Sequence, residues 1–417
     1  MNFKKVIPVA VLGASLLIIL QFPYYETVRR PFSWPVVAAS LATGGRGEES
    51  PRPLPPALEE SPRPLPSALE GSPRVQLGET RLKKVVVLAP KYFRLGNSKM
   101  LLSQGCPEWR CLITSNASEA ESADAVVFTR FTGLNSVPRK RHAHQRYIWV
   151  NHESPVNTKR FIKKKHFFNW TNTYHTKSDL FTPYGALVPL TAKKLPVRAP
   201  SPSDSRSTFL KYKQDLEAGV SLEDDSSQDW SAFLRRPQLA AWLVSHCRTS
   251  SHRERYVKQL QKYIPVSVFG RCSKKRCVRS KLCFTTVLAP NYSFYLSFEN
   301  SICNDYVTEK VWNALQYGLV PVVLGGANYS SILPPNSYID ANKLKPEHLA
   351  KLLKSIAASP REYGRYHLWR LYWKVMQGFW PHCELCYKLH NDHNVTIYSN
   401  VDTWWNAVGK CRGSTVI

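Results

Sequence analysis

The chain has 417 residues, of which 43% are hydrophobic and twelve are Trp. This length and composition exclude a wholly disordered protein and allow two domains with a substantial core. The formal net charge of +27 suggests polyanionic partners such as phosphates, a membrane surface or nucleic acid, although a solvated basic surface explains most single Lys and Arg residues equally well.

The first feature along the chain is an uncharged apolar segment at residues 6–22, preceded by Lys4 and Lys5. A helix of this length spans about 26 Å, close to the hydrocarbon core of a thin bilayer. No small-x-small cleavage motif follows closely, which favours an uncleaved anchor over a signal peptide. We predict a cytosolic tail at 1–5, a transmembrane signal anchor at 6–22 and a lumenal remainder. The predicted orientation rests on the weak positive-charge bias of the N-terminal residues.

A Pro-rich repeat follows the apolar segment. SPRPLPPALEE (50–60) is followed by SPRPLPSALEG (61–71) and by a fading third copy at 72–79. Such segments have no apolar face that could build a core, and they are typically extended and semi-rigid. A ligand for a Pro-recognising domain is the alternative. We interpret residues 23–82 as a stem that holds the folded part away from a membrane.

Short apolar runs recur along the rest of the chain, as is typical of strands buried on both faces. Helix-like stretches lie between several of them, which predicts an α/β fold with parallel sheets. A polar, Pro/Ser-rich segment at 199–231 places a domain junction near residue 235. We expect domains at 83–235 and 236–380 that face a cleft, and a Cys-containing extension at 381–417. The predicted strands lie within 85–88, 123–130, 146–154, 240–247, 265–272, 294–300 and 319–326, and the predicted helices within 252–264 and 308–319.

Cysteine and glycosylation signals both indicate an oxidising lumen. Ten Cys occur, in pairs such as Cys106/Cys111, Cys272/Cys277 and Cys383/Cys386, and we predict disulfides among them without connectivity beyond close neighbours. A zinc site is the alternative for CELC, but no second C-x-x-C completes it. The chain has five glycosylation sequons, whereas about two are expected by chance in a chain of this length. They lie at Asn116, Asn169, Asn291, Asn328 and Asn394.

The segment FENSICNDYVTEKVWNAL (298–315) reads as the end of a strand, a loop and a helix that Thr308 caps. Lys310 in the first helical turn opposes the helix dipole, unless an anion binds there. Its neighbour Glu309 could accept hydrogen bonds from sugar hydroxyls. The alternative is that Glu309 simply favours the dipole and Lys310 is solvated. The pattern therefore suggests a phosphate site.

Four blocks together resemble the α1,3-fucosyltransferase family. The first is FYLSFENSICNDYVTEKVWNALQYGLVPVVLGG (294–326), and similar blocks lie at 147–155, 167–185 and 240–272. The resemblance covers roughly residues 83–411. It implies a GT-B type fold, in which two Rossmann-like domains face a cleft. It also implies a type II enzyme of the Golgi cisternal membrane, with a single-pass anchor, a stem and a lumenal catalytic domain.

The resemblance implies inverting transfer of L-fucose from GDP-β-L-fucose, a co-substrate, in α1,3 linkage to a GlcNAc. Glu153 matches the base that deprotonates the acceptor hydroxyl, although it could instead cap the following turn. Lys310 and Arg253 match cations that stabilise the leaving GDP, with Arg255 as the alternative to Arg253. His246 stands where the family usually has Asn, which puts the geometry of the loop before Arg253 in doubt.

The remaining donor-binding residues implied by the resemblance are Tyr306, Glu309 and Asn300. Glu299 ends the same strand as Asn300 and is expected to point towards the same cleft. The alternative for Glu299 is a structural carboxylate that accepts hydrogen bonds from loop N–H groups. No Asp-x-Asp occurs in the chain, so we predict no essential metal and no cofactor, which leaves room for stimulation by a divalent cation.

HCELCYKLHN (382–391) resembles an extension of enzymes that fucosylate the innermost GlcNAc of glycoprotein N-glycans. This core-type acceptor is therefore favoured. Lewis-type fucosylation of LacNAc or LacdiNAc antennae is the alternative within the family. An inactive lumenal glycan- or heparin-binding protein is the alternative of another class, and no nucleic-acid partner is expected.

Overall fold

The computed structural model describes residues 81–90, 93–129, 131–158, 164–192, 196, 198–277, 281–378 and 381–413. All of them belong to one compact unit, Leu69–Ile417. Among these residues, no helix combines the length and apolar character needed to cross a bilayer. The predicted tail and anchor, and the stem up to residue 80, lie outside the described residues.

The strands and helices alternate along most of the chain. The strands are β1 (Lys83–Leu88), β2 (Cys111–Thr114), β3 (Ala125–Thr129), β4 (Arg146–Asn151), β5 (Trp170–Thr173), β6 (Leu180–Phe181), β7 (Gly185–Pro189), β8 (Gln238–Leu243), β9 (Val266–Phe269), β10 (Tyr292–Phe298), β11 (Val320–Leu324), β12 (Ile339–Asp340) and β13 (Trp373–Gln377). The helices are α1 (Ser98–Ser103), α2 (Arg206–Glu217), α3 (Ser231–Leu234), α4 (Arg253–Leu260), α5 (Lys281–Cys283), α6 (Ala289–Asn291), α7 (Glu309–Gln316), α8 (Pro346–Ala358), α9 (Pro360–Arg365), α10 (His382–Asn391) and α11 (Val401–Gly409).

Shorter helical turns complete the fold. A π-helical stretch, Phe284–Leu288, joins α5 to α6. The 3₁₀ turns are Ala117–Glu119, Leu134–Ser136, Pro155–Asn157, Pro202–Asp204, Leu222–Asp224, Tyr329–Ser331, Ala341–Lys343 and Leu368–Leu371.

Two parallel sheets form the frame, as predicted. The N-terminal sheet has six strands in the order β2-β1-β3-β4-β5-β6, and the C-terminal sheet has five in the order β12-β11-β10-β8-β9. Every apolar run predicted as a strand contains one, and the predicted helices correspond to α4 and α7. All residues of β3, β4, β10 and β11 are buried, which explains their continuous apolar sequences.

The chain passes from the N-terminal half to the C-terminal half earlier than the predicted boundary at residue 235. Tyr212 and Leu216 of α2 pack with Trp312 and Trp369 of the C-terminal half, and β7 pairs with β13 in an antiparallel two-stranded sheet. The N-terminal half therefore ends near residue 185. The polar composition of 199–231 concealed the few large apolar side chains that fix this segment to the C-terminal half.

The predicted C-terminal extension is also not a separate part. Leu385 and Leu389 of α10 pack on one face of the N-terminal sheet, and Val401 and Trp405 of α11 pack on the other side of its core. The tail thus returns to the N-terminal half and covers it, because the parallel sheet needs apolar cover on both faces.

All ten Cys form disulfides, which confirms the bonded residues but not the pairing of close neighbours. The bonds are Cys106–Cys383, Cys111–Cys386, Cys247–Cys272, Cys277–Cys283 and Cys303–Cys411. Pairing within Cys106/Cys111, Cys272/Cys277 or Cys383/Cys386 is wrong. Cys383 and Cys386 project from neighbouring turns of α10 towards α1 and β2, since residues three apart share a helix face.

We expect non-reducing peptide mapping to recover the Cys106–Cys383 and Cys111–Cys386 peptides. The fourfold change Cys106→Ser/Cys111→Ser/Cys383→Ser/Cys386→Ser should lower the free energy of unfolding by about 2–5 kcal/mol, since these two bonds together close a long loop, of sequence separation 275 at its inner bond. The change Cys277→Ser/Cys283→Ser opens a loop of sequence separation 6 and should cost less. Peptides that join Cys106 to Cys111 would contradict the structure.

Candidate active site

Loops at the carboxyl ends of β4 and β10 meet between the two halves. Ser154, in the loop after β4, donates a hydrogen bond from Oγ to Ser301 Oγ at 2.8 Å. Asn157 donates to the same Ser301 oxygen at 2.9 Å. Ser154 and Ser301 are fully buried. The carboxyl ends of parallel strands are the usual ligand-binding edge of such sheets, so this junction is a candidate ligand-binding site.

Glu153 and Tyr306 are brought together here from opposite halves. The backbone N–H of Glu153 donates to Asn151 Oδ1 at 3.0 Å, and the Tyr306 hydroxyl donates to Glu153 Oε2 at 3.4 Å. Tyr306 is 2% exposed, and its ring lies 4.9 Å from that of Tyr174. Burial raises the pKa of Tyr306 well above its usual value, and nearby Tyr184 and the site carboxylates raise it further. The hydroxyl therefore stays protonated and can donate.

Tyr184 belongs to the same cluster, although the sequence analysis gave it no role. Its hydroxyl donates to the backbone oxygen of His152. Burial raises the pKa of Tyr184 well above its usual value, and the charges of Glu309, Glu153 and Glu299 add to the effect. This hydroxyl therefore lies near carboxylates from both halves. Its only sequence signal is its place in the block at 167–185.

His152 faces Tyr184, with ring centroids 6.1 Å apart. Burial lowers the pKa of His152 to about 4, an effect that a backbone hydrogen bond with Thr182 partly offsets. The imidazole is therefore neutral at neutral pH and adds no positive charge beside Glu153.

A buried ion pair holds the start of α7. Lys310 Nζ lies 2.8 Å from Glu299 Oε2 and 3.4 Å from Glu309 Oε1. The backbone N–H and the hydroxyl of Thr308 donate to Glu299 Oε1 at 2.8 Å and 2.9 Å. Glu299 is 0% exposed and Lys310 is 7% exposed. These contacts confirm Glu299 as a carboxylate that accepts a loop N–H, and a solvated Lys310 is wrong.

The predicted capping role of Thr308 is also wrong. Thr308 occupies the N-cap position of α7, but its side chain makes no capping hydrogen bond. The hydroxyl instead donates to Glu299 and accepts a hydrogen bond from Lys310 Nζ, so its oxygen serves the buried ion pair and not a helix N–H group.

A cavity of about 280 Å³ opens beside this ion pair. Glu309 and Lys310 line it together with Lys281 and the aromatic side chains of Phe284, Tyr295 and Tyr317. This volume is slightly below the range of about 300–1,000 Å³ that is typical of ligand sites. Lys281 adds a second cation that the sequence analysis did not identify. The cavity runs along α7 from its first turn to the C-cap residue Tyr317, and two ammonium groups with aromatic walls suit a nucleoside diphosphate.

Arg253 and Asn300 lie close by, behind the end of β10. Arg253 is 2% exposed, and it donates to Phe298 O at 2.6 Å and to His246 O at 3.3 Å. The Asn300 carbonyl accepts from the backbone N–H of Ser251, just before α4, at 3.3 Å. Neither residue lines the cavity. The guanidinium thus fixes the loop after β8 to the end of β10, while Arg255 is exposed.

The sequons differ in accessibility. Asn169 is 1% exposed. Its amide oxygen accepts from the Tyr147 backbone N–H at 2.8 Å, and its amide nitrogen donates to Thr396 O at 2.8 Å. The folded structure leaves no room for a glycan on this nitrogen, so it disfavours the candidate at Asn169. Asn291 is partly buried, and three sequons are exposed, namely Asn116, Asn328 and Asn394.

We expect Asn169 to carry no glycan in the secreted or lumenal protein. Peptide mass spectrometry before and after enzymatic deglycosylation should show unmodified Asn169 at full occupancy. The change Asn169→Gln should lower the melting temperature without a change in glycan mass, whereas Asn394→Gln is the matched exposed control. A glycopeptide that contains Asn169 would contradict this burial.

Among the described residues, the His, Cys, Asp and Glu side chains that come close enough to hold a metal are Cys111, Cys386 and His390. The two sulfurs are joined in a disulfide, so they are not available as thiolate ligands. The group therefore does not fit a metal site.

Comparison with known proteins matches both halves of the chain to family models. The model "Fucosyltransferase, N-terminal" matches residues 82–185, and the model "Glycosyltransferase family 10 (fucosyltransferase) C-term" matches residues 233–404. An alpha-(1,3)-fucosyltransferase C of Drosophila melanogaster is 36% identical over 329 residues, covering 76% of this chain and 74% of the relative.

Two further relatives are similarly extensive. An alpha-(1,3)-fucosyltransferase of Caenorhabditis elegans is 30% identical, covering 75% of this chain and 68% of its own. A 4-galactosyl-N-acetylglucosaminide 3-alpha-L-fucosyltransferase of Homo sapiens is 31% identical, with 71% and 72% covered. With both halves matched by family models and the first relative this similar, the chain belongs to glycosyltransferase family 10, the fucosyltransferases.

Proposed function

We propose that the chain transfers L-fucose from GDP-β-L-fucose, with inversion, to form an α1,3 linkage to a GlcNAc of glycoprotein glycans. The observation that carries this proposal is the junction of the two sheets. There Tyr306 links Glu153, at the end of β4, to the segment after β10 that also holds Lys310. Family membership supports the reaction class, and two facing parallel sheets are the arrangement of the GT-B type.

The donor binds in the cavity beside α7 in this proposal. As the bond to the fucose breaks, the leaving GDP gains negative charge, and fixed positive groups in a partly dry site stabilise that charge. Lys310 and Lys281 supply them. Glu299 holds the Lys310 ammonium in place, and Glu309 accepts hydrogen bonds from donor hydroxyls.

Glu153 acts as the base on the acceptor side. The GlcNAc hydroxyl oxygen attacks the anomeric carbon of fucose, the bond from that carbon to the phosphate oxygen breaks, and GDP departs with the electron pair. The hydroxyl proton goes to Glu153. Tyr306 orients the carboxylate through its hydrogen bond to Oε2. Arg253 and Asn300 act behind this site, as residues that position the loop after β10.

The absence of an essential metal stays a prediction. The charge stabilisation assigned above comes from side chains, so we expect transfer to survive treatment with EDTA. Loss of transfer in EDTA, restored by a divalent cation, would contradict this expectation. A moderate increase with added cation would not.

The acceptor that we favour is the innermost GlcNAc of an N-glycan. Support comes from α10, which contains the segment that resembles the extension of core-type enzymes. Fucosylation of LacNAc or LacdiNAc antennae is the second candidate, and the name of the human relative favours it.

We also propose that the chain is a single-pass type II protein of the Golgi cisternal membrane, with its catalytic part in the lumen. The uncharged segment at 6–22 and the Pro-rich stem support this location. The five disulfides support an oxidising compartment. Immunofluorescence against cisternal markers, combined with protease protection of the C-terminal part in intact vesicles, tests both statements.

The deciding experiment incubates the purified chain with labelled GDP-fucose and a panel of acceptors. The panel contains an N-glycan with a free core GlcNAc position, LacNAc and LacdiNAc, and mass spectrometry with linkage analysis identifies the products. We expect α1,3-fucosylated core product, formed much more slowly by a Glu153→Gln control. Neither transfer nor donor hydrolysis on any acceptor would favour the inactive glycan- or heparin-binding alternative.

A further inference from the structure

A basic surface lies at the opposite end of the N-terminal sheet from the active site. Two segments form it, one before β4 and one before β5. Arg141 joins them, since its Nη1 donates to Phe167 O at 2.7 Å. Lys164 Nζ also lies 5.3 Å from the Phe167 ring. We call this surface the basic edge, and its exposed members are Arg139, Lys140, Arg141, His142, His144, Lys164, Lys165 and His166.

A cavity of about 160 Å³ adjoins the basic edge at the amino ends of β1 and β4. His144 belongs to both, because it lines the cavity and its ring stacks on that of His142 at 5.7 Å. Lys83, Arg146 and His393 also line the cavity. A thin chain that follows the basic edge therefore meets the cavity opening at His144.

Arg146 is the most enclosed of the cavity's cations. It is 8% exposed, and Nη1 donates to the His144 carbonyl at 3.1 Å. Its Nε is buried and has no hydrogen-bond partner among the described residues. A buried N–H without an acceptor costs free energy, which a ligand oxygen at this position would recover.

The charge around the cavity is positive. Asp124 is paired with Lys83 at 3.2 Å and with Arg81 at 3.6 Å, and Asp392 is paired with Lys388 at 2.5 Å. Lys83 and Arg146 line the cavity together with both carboxylates. Arg81 and Lys388 pair with these carboxylates from outside the lining, and the whole group then carries two positive charges in surplus. The surplus of positive charge favours an anion of small size.

We propose that the basic edge and its cavity bind a linear sulfated polysaccharide, with one sulfate group beside Arg146 and the chain along the exposed cations. In the oxidising lumen proposed above, nucleic acid is absent and sulfated glycans are the abundant polyanions. A flat lipid surface would not reach a side chain as enclosed as Arg146. The proposal does not depend on the transferase reaction.

This site is separate from the donor site. Arg146 begins β4, and Glu153 follows its other end. Strands rise about 3.3 Å per residue, so the two side chains lie roughly 20 Å apart. Polysaccharide and GDP should therefore bind without competition.

The test is calorimetric titration of the full chain, in detergent micelles, with a heparin-derived octasaccharide at physiological salt. We expect Arg139→Gln/Lys140→Gln to weaken binding about 25-fold, since each basic side chain near an anionic surface contributes about a factor of five. The matched control Lys258→Gln/Lys262→Gln removes the same charge from exposed positions in and just after α4 and should bind like the unchanged chain.

Arg146→Gln should also weaken octasaccharide binding while fucosyl transfer is unchanged. If this variant does not fold, His144→Ala, which alters an exposed cavity residue, replaces it with the same expected result. Equal weakening by the control pair would reduce the effect to net charge and overturn the proposal. Displacement by GDP would assign binding to the donor site, and competition by phosphatidylserine in the micelles would assign the edge to a lipid surface.

Discussion

Replacement of Glu153 by Gln should strongly reduce the rate of fucosyl transfer while GDP binding is retained. The amide keeps the shape of the carboxylate and still accepts a hydrogen bond from Tyr306, but it cannot take a proton from the acceptor hydroxyl. General base catalysis contributes about 10²–10⁴-fold, so we expect kcat to fall by about this factor. Steady-state kinetics with both substrates measures it.

The matched control for this change is Glu217→Gln, at a carboxylate whose side chain is 72% exposed on α2. It should leave both kcat and the melting temperature unchanged. Turnover by Glu153→Gln equal to that of the unchanged chain would remove Glu153 from the reaction. A loss of GDP binding in the same variant would instead show that Glu153 shapes the donor site.

Replacement of Lys310 by Met should remove both donor binding and much of the stability of the fold. The change takes away the ammonium beside the cavity and leaves Glu299 as a fully buried carboxylate without its cation. An uncompensated buried charge typically costs about 3–5 kcal/mol. Chemical denaturation measures the stability, and calorimetry with GDP measures the binding.

A second variant separates these two effects. In Glu299→Gln/Lys310→Met the buried charge is gone, so most of the lost stability should return. Transfer and GDP binding should not return, because the Lys310 ammonium is missing and the exposed Lys281 is the one ammonium left in the cavity lining among the described residues. Recovery of transfer together with stability would show that Lys310 is only a structural partner of Glu299, and the donor assignment would then be wrong.

The parallel sheets could be predicted from sequence because their strands are short, apolar and buried on both faces. The sequence of 298–315 likewise predicts the end of a strand, followed by a loop and then a helix. Its Lys310 was interpreted as a sign of a bound anion. The structure adds a different reason for a lysine in that first turn, namely the ion pair with Glu299, which the sequence spacing alone does not reveal.

Other features depend on contacts between distant segments and could not be read from local pattern. The residues of β5 are Trp-Thr-Asn-Thr, and its polar side chains are buried because they find partners such as Asp179, which accepts from Thr171 at 3.0 Å. The disulfide pairing follows from α10 packing on the N-terminal half. Tyr184 and Lys281 enter the site only because the chain folds back to it.

The most direct test of the proposed donor site is a calorimetric titration of the purified chain with GDP in EDTA. The unchanged chain and Glu153→Gln should bind GDP with similar affinity, and Glu299→Gln/Lys310→Met should show no measurable heat of binding. Absence of GDP binding by the folded, unchanged chain, or equal binding by the double variant, would contradict the proposed site.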